Sequence, residues 1–588
     1  MAYNGRERTK EYDNDHSASG RTFRPGIFYQ NLLHQSAGLD QKYPIDSSPT
    51  TDMSPAESIK RTLESVPSKF RGPGGAVAVV KDGELVGQHV WGYANLDARI
   101  PITPTTIFPI CSISKQMVCL VLTDLLQNDK DKAFEDALHK ALHELLPQDL
   151  MANKDLTVER MVAMQSGLRD YWALTVLWGA TPGGRFSIYQ DAPKALKRLG
   201  GFHFAPGTEM SYCNSNFMTL GIAIEKATGQ TLGGLLESRL FDPAGMKTAA
   251  LRPDTERLPA PLVGYEGSDE NGYVAYQNRI EWAGDAGIQA SLEDMVAYEK
   301  HIDHSSSSAH SAYQKNSQEP HYIDGSAANY GYGLARIEAD GMTVVGHGGA
   351  LAGFRLHRWY VAEKRVSVVA LLNSDMDSAE VAGYVLRNVA ALPAKEQQKD
   401  SPNQTKVEWT GYYLDEEANL AISVSHGGPG ELLIYYAGHD DKVKIIDSTK
   451  ASSKGMTISY EDGKLSIHRL REGRKFTASP LAPPEAPTDG NDALYTGSYR
   501  SEDIDSTFHC TGSGDMLYGA FDGYLGQGPA HLMKHIGKDV WWLACQRSLD
   551  APAPGNWTVV FHRGEDGKTT QGATVGCWLA RNVKYVKK

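Results

Sequence analysis

The stretch "PICSISKQMVCLVLTDLL", residues 109–126, places two serines and a lysine at the head of an otherwise apolar run. A helix that reads as buried on nearly every side has little use for a cation, because lysine is among the residues least often fully buried unless something pairs with it. Two readings compete. In the first, a serine caps the helix and Lys115 snorkels out to solvent. In the second, Ser112 and Lys115 are a nucleophile and its base. Three residues apart on a helix, their side chains share a face, which adjacent Ser114 and Lys115 cannot do. A helix N-terminus also favours developing negative charge. A lysine base must be neutral, and burial is what lowers a lysine pKa. S-x-x-K spacing is common by chance, so this stretch alone leaves the choice to the rest of the chain.

Two other stretches offer partners. In "GTEMSYCNSNF" (207–217), Tyr212 and Asn214 are two residues apart and point the same way in extended backbone. The tyrosine can relay a proton and the asparagine amide can bind a substrate carbonyl; a surface loop with an incidental tyrosine accounts for the pattern equally well. In "GMTVVGHGGALAGFR" (341–355), a strand leads into His347, Gly348, Gly349 and Ala350. Glycines after a strand admit another backbone closely, which suits a substrate laid along a sheet edge. A glycine-rich turn with an exposed histidine is the competing reading.

Bulk properties narrow the classes. At 588 residues the chain exceeds what one core usually supports, which predicts roughly two to four domains. A net charge of -12 and a pI near 5.9 argue against nucleic-acid backbone binding and a basic membrane anchor. No apolar run approaches the roughly 18 residues of a membrane span. The six cysteines show neither CxxC pairs nor zinc spacing and read as reduced, buried thiols; no metal site is expected. The N-terminus lacks an apolar signal core and carries acidic residues, and "YVKK" is no retention or peroxisomal address, so the expected setting is the cytoplasm.

Residues 1–55 are polar and rich in Gly, Ser, Asp and Pro, and read as a disordered lead-in. Structure is expected to begin at "SPAESIKRTLESV", an amphipathic helix capped by Ser54, followed by "GAVAVVKDGELVGQHVWGYA", a hairpin around Lys-Asp-Gly. Helical and strand patterns alternate to about residue 395, giving a mixed α and β domain over 56–395. Within it, "DHSSSSAHSAYQKNSQEP" (303–320) is low in complexity and reads as a mobile surface loop. After "ALPAKEQQKDSPNQ" short strands and turns take over, and "SPLAPPEAPTDGND" divides that half in two. The pieces, 403–482 and 493–588, open alike, with "VEWTGYYLDEE" and "LYTGSYRSED". This weak repeat predicts two related antiparallel β domains, read as small barrels.

The order of the three motifs, S-x-x-K, Y-x-N 100 residues later and H-x-G before the domain ends, resembles the serine β-lactamase and penicillin-binding-protein family, in which the third motif is KTG. The flanks "MQSGLRDY", "LFDPAGMKTA", "GDAGIQASLEDM" and "NYGYGLA" resemble its esterase and D-peptidase branch. His347 in the third motif, together with "YGAFDGYLG", "QRSLDAPAPGNW" and "TVGCWLARNV" in the C-terminal half, narrows this to the D-stereospecific aminopeptidases of that family.

The resemblance implies an α+β fold, a β-lactamase-like domain followed by two lipocalin-like β-barrels. It implies a serine hydrolase without a cofactor that acts on small D-amino-acyl peptides, amides or esters, and it suggests a homodimer. Ser112 would be the nucleophile, Lys115 the base, and Tyr212 the proton relay. The N–H groups of Ser112 and Ala350 would form the oxyanion hole. Asn214 and Gly349 would position the acyl part, and His347 would orient Tyr212 or the leaving group. Loop 546–556, stiffened by Pro552 and Pro554, would enter the cleft with Asp550 facing the substrate ammonium. The alternatives are a D-amino-acid amidase or esterase, and a non-catalytic scaffold on the same fold.

Overall fold

The computed structural model describes residues 54–308, 310–339, 341–390, 407–483, 492–514, 516–545, 549 and 555–588. Residues 1–53 of the expected lead-in (1–55) and most of both linkers lie outside them. The chain enters through α1 (Pro55–Lys69), whose Ser54 side chain accepts from Glu57 N while the Glu57 carboxylate accepts from Ser54 N, a reciprocal cap with proline at the first helical position. The predicted hairpin follows as β1 (Gly74–Lys81) and β2 (Glu84–Asn95), turning at Asp82 and Gly83, both at positive φ.

Six further strands complete the antiparallel sheet of the first domain among the described residues: β3 (Ile100–Pro101), β4 (Tyr330–Gly331), β5 (Leu334–Ala339), β6 (Met342–Leu351), β7 (Phe354–Val361) and β8 (Val366–Leu372). Their order is β3-β2-β1-β8-β7-β6-β5-β4, so the N-terminal hairpin lies beside the last strand of the domain. Because β1 and β8 are buried along almost their whole length, the sheet is covered on both faces. One face packs against α1 and a C-terminal helix (Ser378–Val389). The other meets the helical region that contains α2 (Ser114–Gln127) and α3 (Asn214–Thr228).

Two expectations are corrected here. The serine-rich stretch 303–320 is not a loop throughout. Residues 303–306 finish the helix Leu292–Ser306, and a second helix, Ala312–Asn316, buries Tyr313 and Asn316. Asn316 accepts a hydrogen bond from Thr123 of α2 at 2.6 Å. The histidine-glycine motif also does not follow a strand; it lies inside β6.

The two C-terminal β domains are both closed. The first barrel runs from Gly411–Asp415 to Arg474–Pro480, and its first and last strands pair. The second closes where Ser506–Ser513 meets Met516–Gly523. Inward and outward residues alternate, as in His439–Ile445 and Lys464–Arg469, which closure of a small filled barrel demands. The sequence repeat has a physical basis. Gly411 and Gly497 open the first strand of each barrel at φ of 138° and 141°, values that favour glycine. Two residues later, Tyr413 and Tyr499 each donate to the carbonyl four residues upstream, at Trp409 and Tyr495.

The barrels are not appendages. Arg169 Nη1 meets Asp503 at 2.7 Å, Trp178 Nε1 donates to Ile504 O at 2.8 Å and Asp170 N to Leu579 O at 2.9 Å. A single cluster of buried apolar side chains includes residues of all three domains.

Candidate active site

Ser112 lies in a single 3-10 turn, Cys111–Ile113, that runs directly into α2, so it precedes the α-helix by two residues. Cys111 adopts φ +50°, an uncommon value for a residue with a Cβ. Such conformations cost about 1–3 kcal/mol and persist where the surroundings fix them, often at functional sites. Here the fixing element is β6. A Cβ on Gly349 would sit 2.3 Å from Ile110 O and 3.2 Å from Cys111 Cβ. The backbone that the glycine admits is thus the Ser112 turn itself, where the sequence suggested a substrate.

Lys115 is fully buried on the first turn of α2. Its Nζ donates to Ser112 Oγ at 3.0 Å and to Asp285 O at 2.6 Å, and lies 5.1 Å from the centre of the Tyr212 ring. Burial drives its pKa down from the ordinary ammonium value to about 8, with the Asp285 and Asp170 carboxylates pulling the other way. The Ser114 hydroxyl is committed elsewhere, accepting from Ile288 N at 3.1 Å. Ser112 and Lys115 are thus a bonded pair, and Lys115 does not snorkel out to solvent.

Tyr212 is buried on an irregular segment just before α3. Burial raises its phenol well above the usual range, and a hydrogen bond with Ser112 opposes that rise. Asn214, the first residue of α3, donates through its backbone N (2.5 Å) and Nδ2 (3.0 Å) to one oxygen of Asp170. One of its amide hydrogens is thus held by the protein, a constraint the sequence reading did not foresee.

His347 is fully buried within β6. Its Nδ1 lies 2.5 Å from Gly348 O, and because a carbonyl only accepts, Nδ1 carries the proton. Burial, reinforced by Lys115, depresses its pKa to about 3, so the ring is neutral and Nε2 accepts from the Tyr330 hydroxyl at 2.9 Å. His347 meets Tyr212 in a ring contact, with centroids 6.1 Å apart. Ala350 lies further along β6, opposite Arg355. The pairing of β5 with β6 ends at Gly346, so residues 347–351 present a strand edge beside Ser112.

Asp550 lies outside the described residues, but both flanks of its loop are placed. Leu549 is buried, and its carbonyl accepts from Gly183 N of the first domain at 3.1 Å. Gly555 abuts Gly438 of the first barrel. The sequence reading missed four groups: Tyr330, Asp170, Asp285 and Tyr171, whose hydroxyl donates to Asp285 at 2.8 Å. All four lie in the stretches that carry the family resemblance, but their roles depend on contacts between distant segments.

A buried serine bonded to a pKa-depressed lysine, a tyrosine from a neighbouring loop and a free strand edge, all set on an antiparallel sheet with a helical region, define a serine hydrolase of the β-lactamase fold. The β-lactamase family model matches residues 59–391, and the model for D-aminopeptidase, domain B, matches residues 402–586. The chain is 41% identical over 534 residues to a D-aminopeptidase of Brucella anthropi, covering 91% of this chain and 98% of that one. It is 40% identical over 529 residues to a D-aminopeptidase of Brucella melitensis, covering 90% and 98%. The chain belongs to the D-aminopeptidase family.

Proposed function

We propose that this enzyme releases N-terminal D-residues from small peptides, amides and esters through an acyl-enzyme on Ser112. The observation that carries the reading is the 3.0 Å bond between Ser112 Oγ and a buried Lys115 whose pKa has fallen to about 8. Neutral Lys115 takes the Ser112 proton as Oγ attacks the carbonyl carbon. The N–H groups of Ser112 and Ala350 receive the oxyanion, each worth about 3–4 kcal/mol. Tyr212 gives its proton to the departing amine as the C–N bond breaks and is reprotonated by the proton Lys115 took from Ser112, which leaves Lys115 neutral; water then hydrolyses the ester. Gly349 and Asn214 bound the acyl site, and the neutral His347, held by Tyr330, shapes the pocket beside Tyr212 without changing charge at physiological pH.

Asp550 supplies the counter-charge for the substrate ammonium; the bond from Gly183 N to Leu549 O, which ties the residue before it to the first domain, supports this reading. Six buried cysteine thiols support a reducing, cytoplasmic setting, and a homodimer belongs to the same reading.

The test is hydrolysis of D-Ala and L-Ala p-nitroanilides side by side, with mass spectrometry of the enzyme quenched during turnover. A D preference and an adduct of one acyl group on Ser112, absent in Ser112→Ala, are expected. Equal rates on both enantiomers would overturn the stereochemical reading, and a normally active Ser112→Ala would overturn the mechanism.

A further inference from the structure

Tyr212 belongs to no helix or strand: residues 201–213 are irregular. A proton relay must be held to a fraction of an ångström, and a loop does not supply that by itself. Some of the support comes from within the first domain, where Ser211 N donates to Met164 O at 3.0 Å and Cys213 N to Met164 Sδ at 3.2 Å. The rest comes from the barrels. Met210 N donates to Glu472 O of the first barrel at 3.0 Å. Glu209, three residues from Tyr212, is buried and receives one arginine from each barrel. Arg581 Nη1 of the second barrel reaches its two oxygens at 3.0 and 3.1 Å, and Arg474 Nε of the first lies 3.3 Å away.

Both arginines are fixed in turn. Arg474 Nη1 binds Asp415 at 2.5 Å and Tyr436 Oη at 3.0 Å, and the Arg581 guanidinium stacks 3.8 Å over Trp578. All three charges of the junction are at least nine-tenths buried. Buried ion pairs contribute little net stability over apolar packing, yet losing one partner is costly, so such pairs fix geometry more than they stabilise a fold.

We infer that Glu209 is a positioning residue through which both barrels hold Tyr212 in register with Ser112. The inference rests on the reading of Tyr212 as the relay to the leaving group, and leaving-group chemistry separates it from a structural role. An amine must be protonated to leave when the C–N bond breaks, whereas 4-nitrophenolate leaves as the anion. A misplaced Tyr212 therefore penalises acylation by D-alaninamide more than acylation by the D-alanine 4-nitrophenyl ester.

The experiment measures kcat/KM for both substrates on the full chain and on Tyr212→Phe, Glu209→Gln, Glu209→Asp and Arg581→Lys. Tyr212→Phe sets the scale. Glu209→Gln and Arg581→Lys should each lower the amide-to-ester ratio by about tenfold or more, with the ester rate within about threefold of wild type and partial recovery in Glu209→Asp. If Glu209→Gln fails to fold, Arg581→Lys, which keeps the charge and loses the guanidinium plane stacked over Trp578 and its Nε bond to Trp578 O, decides the question. An unchanged ratio in the Glu209 and Arg581 variants, with a lowered ratio in Tyr212→Phe, would overturn the inference and leave the relay standing. An unchanged ratio in Tyr212→Phe itself would remove the relay and the inference together.

Discussion

Gly349→Ala is the sharpest probe of how the serine is held. The added methyl would stand 2.3 Å from Ile110 O, and a tolerable contact begins at 3.0–3.4 Å, so strand β6 and the Ser112 turn must separate by about 0.7–1.1 Å. Neither side yields easily. β6 is bonded along its length to β7, and the turn is tied through Ile110 N to Ile288 O and through Ser114 Oγ to Ile288 N. The stability cost expected from such overpacking is about 1–3 kcal/mol. A shift of about 1 Å at the nucleophile costs on the order of 100-fold in rate, because Oγ leaves the line between the Lys115 amine and the substrate carbonyl. The assay is kcat/KM for a D-alanyl amide alongside a thermal melt. The pH at which activity half-develops should stay near its wild-type value, since Lys115 remains buried, while the plateau falls. A variant with wild-type turnover and wild-type melting would show that the β6 contact does not set the position of Ser112.

Three other outcomes follow from the same site. Activity of the wild-type enzyme should rise with pH through about 8 as Lys115 loses its proton, and Lys115→Arg, whose guanidinium stays charged, should lose about 10⁴-fold or more in kcat, both read from pH–rate profiles. Lys115→Met should stabilise the fold: a lysine whose pKa falls from 10.5 to about 8 on folding costs about 3 kcal/mol below pH 8, a penalty that shrinks as pH rises because the unfolded chain binds the extra proton up to about pH 10.5. Denaturant melts at pH 7 and pH 10 should therefore show the gain diminishing with pH. Asp550→Asn should raise KM for free D-amino-acyl substrates about 10- to 100-fold and favour N-acetylated ones in comparison; an unchanged preference for the free amine would place the counter-charge elsewhere.

The parts of this molecule that could be read from sequence are those governed by short-range spacing. Ser112 and Lys115 are one turn apart, so their shared face follows from helical geometry before any fold is known. The twin openings of the barrels could be read for the same reason, since Gly411 with Tyr413 and Gly497 with Tyr499 each close a bond within five residues. The site's tuning lies in contacts that span the chain: Asp285 reaches Lys115 across 170 residues, and Asp170 fixes Asn214 across 44. Tyr330 and His347 are closer in sequence, but their bond depends on the irregular approach of β4 to β6 and leaves no periodic signal. The serine-rich segment misled because composition outweighed position. Among its polar residues, Tyr313 and Asn316 face inward, and a single buried tyrosine does not register against a run of serines.

The apolar cluster that continues through all three domains bears on how the chain can come apart. Where Trp178 of the first domain donates to Ile504 of the second barrel, and Ala421 N of the first barrel to Thr558 of the second at 3.0 Å, removing one domain would strip partners from the interior of another. Heat should therefore melt the enzyme in one transition, and a chain cut at residues 391–406 should yield a catalytic half that aggregates instead of a minimal hydrolase. Evolution faces the same constraint. A lineage built this way cannot shed its barrels by a single truncation, and change at the active site must be accommodated by residues on three sheets at once.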